Sequence, residues 1–382
     1  MDAGSIRFAV VMLALAALAA CARNEVILPL AEADGRVAQV RTIQIATLRA
    51  TSPQALAVYS GERADNLSFG EVSVSIPRNR KPGSIVYPRQ VPNLAEQFAG
   101  VRRVTGRDED TFVATLNAQL ANRAPRDRAV MVFVHGYNTN FASGVFRMAQ
   151  MVHDFGFEGV PVHFSWASAG RTPLYLYDRD SAQIARNGLA DTLRAVARSK
   201  ARGIILLGHS MGGLVTMEAL RDLGMRGERK LLGRLEAVVL ASPDIDRRVF
   251  EAQLAEVRPL PQPFAIFVSR RDRALLASQG LRGGEARVGE GKDITWLRER
   301  GITVIDLSDV ADGDDATNHS TFATSQTVMA MVRSGALRPV DRQDGNRLPA
   351  DPALAAVGKG VGALSDAAAS IVYLPARIVG VR

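Results

Sequence analysis

The chain has 382 residues, 47% of them hydrophobic and 23% charged, the make-up of a globular protein with a sizeable core in one large domain or two. A net charge of +8 raises nucleic acid or anionic lipid as partners, but Lys stands only at 81, 200, 230, 292 and 359, and the rest of the positive charge is Arg scattered along the chain. No dense basic run carries interleaved aromatics, so nucleic acid is excluded as the main partner, and with Cys21 as the single cysteine the chain holds no internal disulfide.

Arg7 precedes the apolar run "FAVVMLALAALAA", residues 8–20. Thirteen residues are short for a bilayer span and suit the apolar region of an export signal. The run ends in Leu18-Ala19-Ala20-Cys21, which resembles a bacterial lipobox, where the cysteine is lipidated and becomes the new N-terminus. That resemblance implies a signal peptide over 1–20 and a lipid anchor at Cys21. It also implies a place in the bacterial envelope, with Ala22 favouring the periplasmic side of the outer membrane over the inner membrane. Residues 21–39 then form a tether.

Strand-like alternation follows at 40–50 and 69–78, and helical spacing at 111–122. From residue 128 the rhythm is regular. Strands are expected in "RAVMVFVHG" (128–136), "VPVHFSWAS" (160–168), "GIILLGHS" (203–210), "LEAVVLASPD" (235–244), "PFAIFVSRRD" (263–272) and "ITVIDLSDV" (302–310). Helices are expected between them, and a last one is expected through "FATSQTVMAMVRSG" (322–335). The strands are continuous apolar runs, which predicts a mostly parallel central sheet with helices on both faces. Residues 40–335 are expected to form this domain, with a catalytic core over 128–335. Residues 336–382, rich in turn formers and then small apolar residues, read as a loose or weakly helical tail.

Gly208-His209-Ser210-Met211-Gly212 fits the G-x-S-x-G pattern between a strand and a helix, the place where a nucleophilic serine is pressed into a tight turn. A serine hydroxyl needs a base. Of the histidines at 135, 153, 163, 209 and 319, only His319 lies beyond Ser210, in a loop after the last predicted strand. His209 is expected to point away, and His153 and His163 to be structural. For the acid, Asp272 follows the penultimate strand, while Asp244 and Asp246 follow the one before it; the alternative role for Asp272 is an ion pair with Arg270, Arg271 or Arg273, and for Asp244 and Asp246 a helix cap. Met211 supplies one oxyanion N–H by position, and Tyr137 or Asn138, after the His135-Gly136 pair, supplies the other. Trp166, Tyr175 and Tyr177 either line a substrate pocket or pack. No cluster with metal-ligand spacing and no phosphate loop is present, so neither metal nor cofactor is expected.

The blocks "VFVHGYN", "HFSWASAGRTPLYLYDRDSA", "LLGHSMGGLVTMEALR", "LASPDIDRRVFEAQL", "FVSRRDRAL" and "NHSTFA" together resemble the α/β-hydrolase superfamily, and within it the bacterial DUF900 family. The resemblance covers roughly 128–325 and departs at Ala167, where Pro is expected. It implies the α/β-hydrolase fold, a Ser210–Asp272–His319 triad and no cofactor. The expected activity is that of a membrane-anchored serine hydrolase acting on small-molecule or lipid carboxylic esters. An acyltransferase using the same acyl-enzyme and a non-catalytic envelope lipoprotein are the alternatives.

Overall fold

The computed structural model describes residues 37–334 apart from 54–56, 89–91, 282–284 and 314–315. The expectations for the signal peptide, for Cys21, for most of the tether and for the tail from 336 lie outside the described residues. Chain order runs β1 (Val37–Thr51), β2 (Tyr59–Pro77), β3 (Ala99–Arg107), α1 (Glu109–Ala121), β4 (Ala129–Val134), α2 (Phe141–Asp154), β5 (Val160–Ser165), α3 (Tyr175–Arg198), β6 (Gly203–His209) and α4 (Met211–Met225). It continues with α5 (Arg229–Leu232), β7 (Leu235–Ala241), α6 (Arg247–Glu256), β8 (Phe264–Val268), α7 (Arg273–Leu281), α8 (Thr295–Glu299), β9 (Thr303–Asp306), α9 (Thr321–Thr324) and α10 (Gln326–Arg333).

The nine strands make one sheet in the order β3-β2-β1-β5-β4-β6-β7-β8-β9. Only β2 runs against the others: it pairs antiparallel with β1 and β3, while β1 pairs parallel with β5 and the rest follow. β4 and β5 are buried along their whole length, as continuous apolar strands covered on both faces must be. Alternate β4 residues feed two cores: Val130, Val132 and Val134 belong to one with Leu189 of α3 and Val215 of α4, while Met131 and Phe133 belong to the other with Phe146 of α2 and Val328 of α10. Side-chain caps fix the starts of several helices; Asp108 accepts from Thr111 N–H (2.7 Å) at α1, and Asn140 from Ser143 N–H (2.8 Å) at α2.

Two expectations change. β3, which carries no apolar run, escaped the pattern because it is an edge strand held by charge: Arg107 and Arg102 both reach the buried Glu71 of β2. The single last helix is two short ones, broken at Ser325, where ψ is 129°. Ser325 Oγ accepts from Val328 N–H (3.2 Å) to start α10 and donates to Asp312. The side-chain cap competes successfully with continued helix.

Candidate active site

The parallel strands deliver their carboxyl ends to one edge, and Ser210 stands there between β6 and α4. Its φ of 54° and ψ of −122° lie outside the regions open to L-residues without strain, a cost of about 1–3 kcal/mol that the surroundings must hold. The surroundings do so through the backbone. Ser210 N–H donates to Ala241 O (2.9 Å), and Ser210 O accepts from Gly213 N–H (2.9 Å) and Asp244 N–H (3.2 Å). The glycines supply the space. A Cβ at Gly208 would stand 2.5 Å from Thr216 Oγ1, and one at Gly212 2.3 Å from the carbonyl oxygens of Val134 and His135. Met211 N–H is among the donors that a helix start leaves without an intrahelical acceptor.

His319 and Asp272 meet at the same edge. His319 Nδ1–H donates to Asp272 Oδ2 at 2.7 Å, with the Asp272 side chain fully buried and His319 15% exposed. The second oxygen, Oδ1, accepts from Leu275 N–H (3.0 Å) at the start of α7. The flanking arginines turn elsewhere, Arg270 to Asp306 (3.4 Å) and Arg271 to Asp309 (3.7 Å). The rival carboxylates are engaged in structure. Asp244 accepts from Tyr175 OH (2.8 Å) and Ser278 Oγ (2.8 Å) and faces Arg287, while Asp246 caps α6 through Arg248 and Val249 N–H.

His209 corrects an expectation. It does not point away: its Nε2 reaches His319 O (3.2 Å), and its ring lies against His319 (4.8 Å between centroids) and Phe322 (4.8 Å). The residue before the serine thus buttresses the histidine loop. His163 lies fully buried inside β5, its ring stacked on Phe133 (5.6 Å between centroids, 27°). Burial pushes its pKa down to about 3, with Arg49 adding to the effect.

The loop after β4 treats Tyr137 and Asn138 differently. Asn138, at φ 54°, spends its N–H on Asp178 Oδ2 (3.1 Å), so it is not free for a substrate oxygen. Tyr137 N–H makes no hydrogen bond to a described residue. Asp178, completely buried, also accepts from Ser168 Oγ (2.6 Å) and Ala169 N–H (2.7 Å), and burial raises its pKa against those bonds. Across the same loop the buried Arg49 donates to Thr139 O (2.7 Å), Ser168 O (2.8 Å), Ser165 Oγ (2.8 Å) and Ser60 O (3.1 Å). Its Nη2 also faces His135 Nε2 (3.3 Å). Burial, then Arg49, holds His135 well below the ordinary histidine range, and the tautomer with its proton on Nδ1 donates to Gly136 O (2.8 Å). Sequence reading missed Arg49. The strand gave little signal, because β1 also carries Gln39, Arg41, Gln44 and several threonines, and Arg49 reads there as one more polar position.

The three aromatic candidates separate. Trp166 is fully buried, stacks on His135 (4.9 Å, 11°) and donates from Nε1 to His135 O (2.7 Å); it packs and does not line a pocket. Tyr175 is buried by its bond to Asp244 and meets the Tyr137 ring edge-on at 5.2 Å. Tyr177 is fixed toward β2, donating to Gly61 O (3.1 Å) under the Arg63 guanidinium (4.4 Å). Tyr137 donates its hydroxyl to Thr172 O, and burial pushes its pKa up to about 12. Ala167, in place of the expected Pro, is buried and leaves this loop intact. Among the described residues no group of three or more His, Cys, Asp or Glu side chains is placed to hold a metal ion.

A largely parallel sheet, flanked by helices, with a strained serine between strand and helix at its carboxyl edge, is the α/β-hydrolase fold, and the protein is a hydrolase of that class. The family model described as alpha/beta hydrolase of unknown function (DUF900) matches residues 108–335, and the chain belongs to that family. No match was found among curated proteins. Similar solved structures include the Pyrobaculum calidifontis esterase, 12% identical over 88% of this chain and 95% of its own, TM-score 0.35. Another is Aspergillus fumigatus lipase B, 14% identical over 62% of this chain and 56% of its own, TM-score 0.34. A third is esterase B from Lactobacillus rhamnosis in a phosphonate-inhibited form, 11% identical over 80% and 84%, TM-score 0.33.

Proposed function

We propose that the protein cleaves carboxylic esters through an acyl-enzyme, with Ser210 as nucleophile, His319 as base and Asp272 as the acid that orients it. The observation that carries this reading is the 2.7 Å bond from His319 Nδ1 to the buried Asp272, on the loops that flank the Ser210 elbow. That bond commits the Nδ1 proton to the carboxylate and leaves Nε2 as the basic nitrogen. Nε2 takes the proton as Ser210 Oγ bonds to the ester carbonyl carbon. The carbonyl oxygen becomes an oxyanion held by the N–H groups of Met211 and Tyr137, each worth about 2.7–4 kcal/mol in the transition state. His319 returns the proton to the departing alcohol. Water, deprotonated by the same nitrogen, then attacks the acyl-enzyme, and the acid leaves with Ser210 regenerated. The chain's own groups suffice, and no cofactor enters.

The test is covalent labelling with a fluorophosphonate, followed by peptide mapping and ester turnover. Label is expected on Ser210 and absent from Ser210→Ala. Retention of label in that variant, or a folded wild-type chain that takes none, would overturn the assignment. We also propose that the chain is lipid-anchored at Cys21 in the cell envelope, which rests on the Leu18–Cys21 sequence. Metabolic incorporation of palmitate that disappears in Cys21→Ser tests it.

A further inference from the structure

Two separate parts of the chain carry the N–H groups that the proposed mechanism aims at one oxyanion. Met211 opens α4 at the elbow, and Tyr137 lies in the loop after β4. Two donors help an oxyanion only when both reach the same oxygen, so the spacing between these parts matters as much as the shape of each.

Residues 172–178, the segment that opens α3, join the two parts. On the loop side, Thr172 O accepts from the Tyr137 hydroxyl, and Thr172 Oγ1 from Asn138 Nδ2 (3.2 Å). The Tyr175 ring meets the Tyr137 ring edge-on at 5.2 Å, and Asp178 accepts from Asn138 N–H (3.1 Å). On the elbow side, the Tyr175 hydroxyl donates to Asp244 Oδ2 (2.8 Å), and Asp244 N–H donates to Ser210 O (3.2 Å). Tyr175 thus touches the loop with its ring and reaches the elbow with its hydroxyl.

Asp244 is a firm post for that bond. Its buried carboxylate also accepts from Ser278 Oγ of α7 (2.8 Å), and Oδ1 faces the Arg287 guanidinium (3.4 Å). A carboxylate gripped from three segments stays in one place, and a hydroxyl bond to a charged acceptor is stronger than one to a neutral oxygen. Tyr175 is itself buried, so water does not compete for the bond. Tyr177, two residues on, turns to Gly61 O instead, so an aromatic on this helix is not enough to make the link.

We propose that Tyr175 is a positioning residue that sets the spacing of the Tyr137 and Met211 N–H groups, acting through Asp244 on the elbow and through the Tyr137 ring on the loop. The proposal rests on the reading of Ser210 as nucleophile.

The test compares Tyr175→Phe with Ser278→Ala in the full chain. Both remove a donor from the Asp244 carboxylate, but only Tyr175→Phe cuts the Tyr175–Asp244 bond. Turnover of p-nitrophenyl butyrate is counted per serine labelled to completion with a fluorophosphonate, so a partly folded preparation does not lower it. Tyr175→Phe is expected to lower kcat about tenfold with KM within about twofold, less than the loss of a whole donor because the donor is moved and not removed. The trifluoromethyl ketone of the same acyl chain forms an oxyanion on the serine, and its Ki is expected to rise by about the factor that kcat/KM falls. The acid limb of the kcat/KM pH profile is expected to stay in place, since the His319–Asp272 pair is untouched. Ser278→Ala is expected to keep kcat and Ki within about twofold of wild type.

Four outcomes overturn the proposal: kcat and Ki unchanged in Tyr175→Phe, an equal loss in Ser278→Ala, a rise in KM alone, or a shifted acid limb. Tyr137→Leu reads the link from its other end, removing the ring contact and leaving the Tyr175–Asp244 bond. On that background Tyr175→Phe is expected to lower kcat less than about twofold further, because both changes break one link. Full, independent losses in the double variant overturn the proposal, whatever the yield of Tyr175→Phe alone. A folded wild-type chain that takes no label sinks the reading of Ser210. A wild-type chain that labels and turns over ester, with Tyr175→Phe its equal, sinks this inference alone.

Discussion

Two buried aspartates on the loops near Ser210 are held in different ways. Asp272 has one ionisable partner, His319, at 2.7 Å, and its other oxygen starts α7. Asp178 accepts from Ser168 Oγ and from the N–H groups of Ala169 and Asn138, none of which titrates, and the buried Arg49 holds the same loops through Thr139 O and Ser168 O. In the proposed mechanism the Asp272 flank serves proton movement, with one carboxylate fixing one imidazole in one tautomer. The Asp178 flank would serve position in that mechanism, because an N–H donor helps an oxyanion only if it is already aimed. Asn138 at φ 54° shows what such aiming takes, since a side chain in that conformation must be held from several directions.

Breaking the chemical flank should cost most. Asp272→Asn is expected to lower kcat by about 10³–10⁴-fold, because an amide no longer fixes the tautomer. Asp244→Asn should cost far less, and steady-state rates with one ester decide between them. The opposite ranking would move the acid to the loop after β7.

Breaking the positional flank should cost less activity and more stability. Asp178→Asn keeps the shape but turns an amide N–H toward donors, so about 1–3 kcal/mol of stability is expected to go, read by urea unfolding. kcat should fall by about tenfold or more with KM little changed, since the oxyanion forms only in the transition state. Arg49→Met leaves Asp178 without its cation and should be worse than Asp178→Asn in the same unfolding assay.

The histidines behind the oxyanion loop sharpen the contrast by pH. His135 and His163 have folded-state pKa values below the ordinary histidine value, so the unfolded chain binds more protons once pH drops below about 6.5. Stability is then expected to be full above that pH and to decline as pH falls below it, by up to about 1.4 kcal/mol per pH unit for each histidine. Unfolding midpoints across pH 7 to 4 measure the slope, and His163→Leu should lower it. A slope unchanged by that substitution would mean that His163 is not kept neutral.

The smallest effect is expected at Tyr177, whose hydroxyl serves Gly61 O and no reacting group. Tyr177→Phe should lose about 0.5–1.5 kcal/mol of stability and leave KM within about twofold. A large rise in KM would restore this ring to a substrate-binding role.

Much of the site was legible in the chain. The GHSMG turn has a local cause: β6 is a continuous apolar run, α4 has helical spacing, and the glycines at 208 and 212 permit an approach that any Cβ would block at 2.5 Å or less. His319 was legible by order, being the only histidine after Ser210. Asp272 needed the resemblance for its choice over Asp244, because three carboxylates followed strands and spacing does not say which way a loop turns. For Trp166 and Tyr177 the choice between pocket and packing stayed open, because an aromatic beside a site has the same letter whether it faces ligand or core.

The sequence by itself determined what depends on near neighbours: strand periods, helix caps, the strained elbow and the chain order of Ser210, Asp272 and His319. Only the tertiary structure decided what depends on residues far apart in the chain. Arg49 and Asp178 stand 129 positions apart in number, and each reads locally as an ordinary strand or helix residue. Folding buries both against one loop, where a charge or backbone N–H without a partner costs several kcal/mol. That cost is what gives the Asn138 N–H to Asp178.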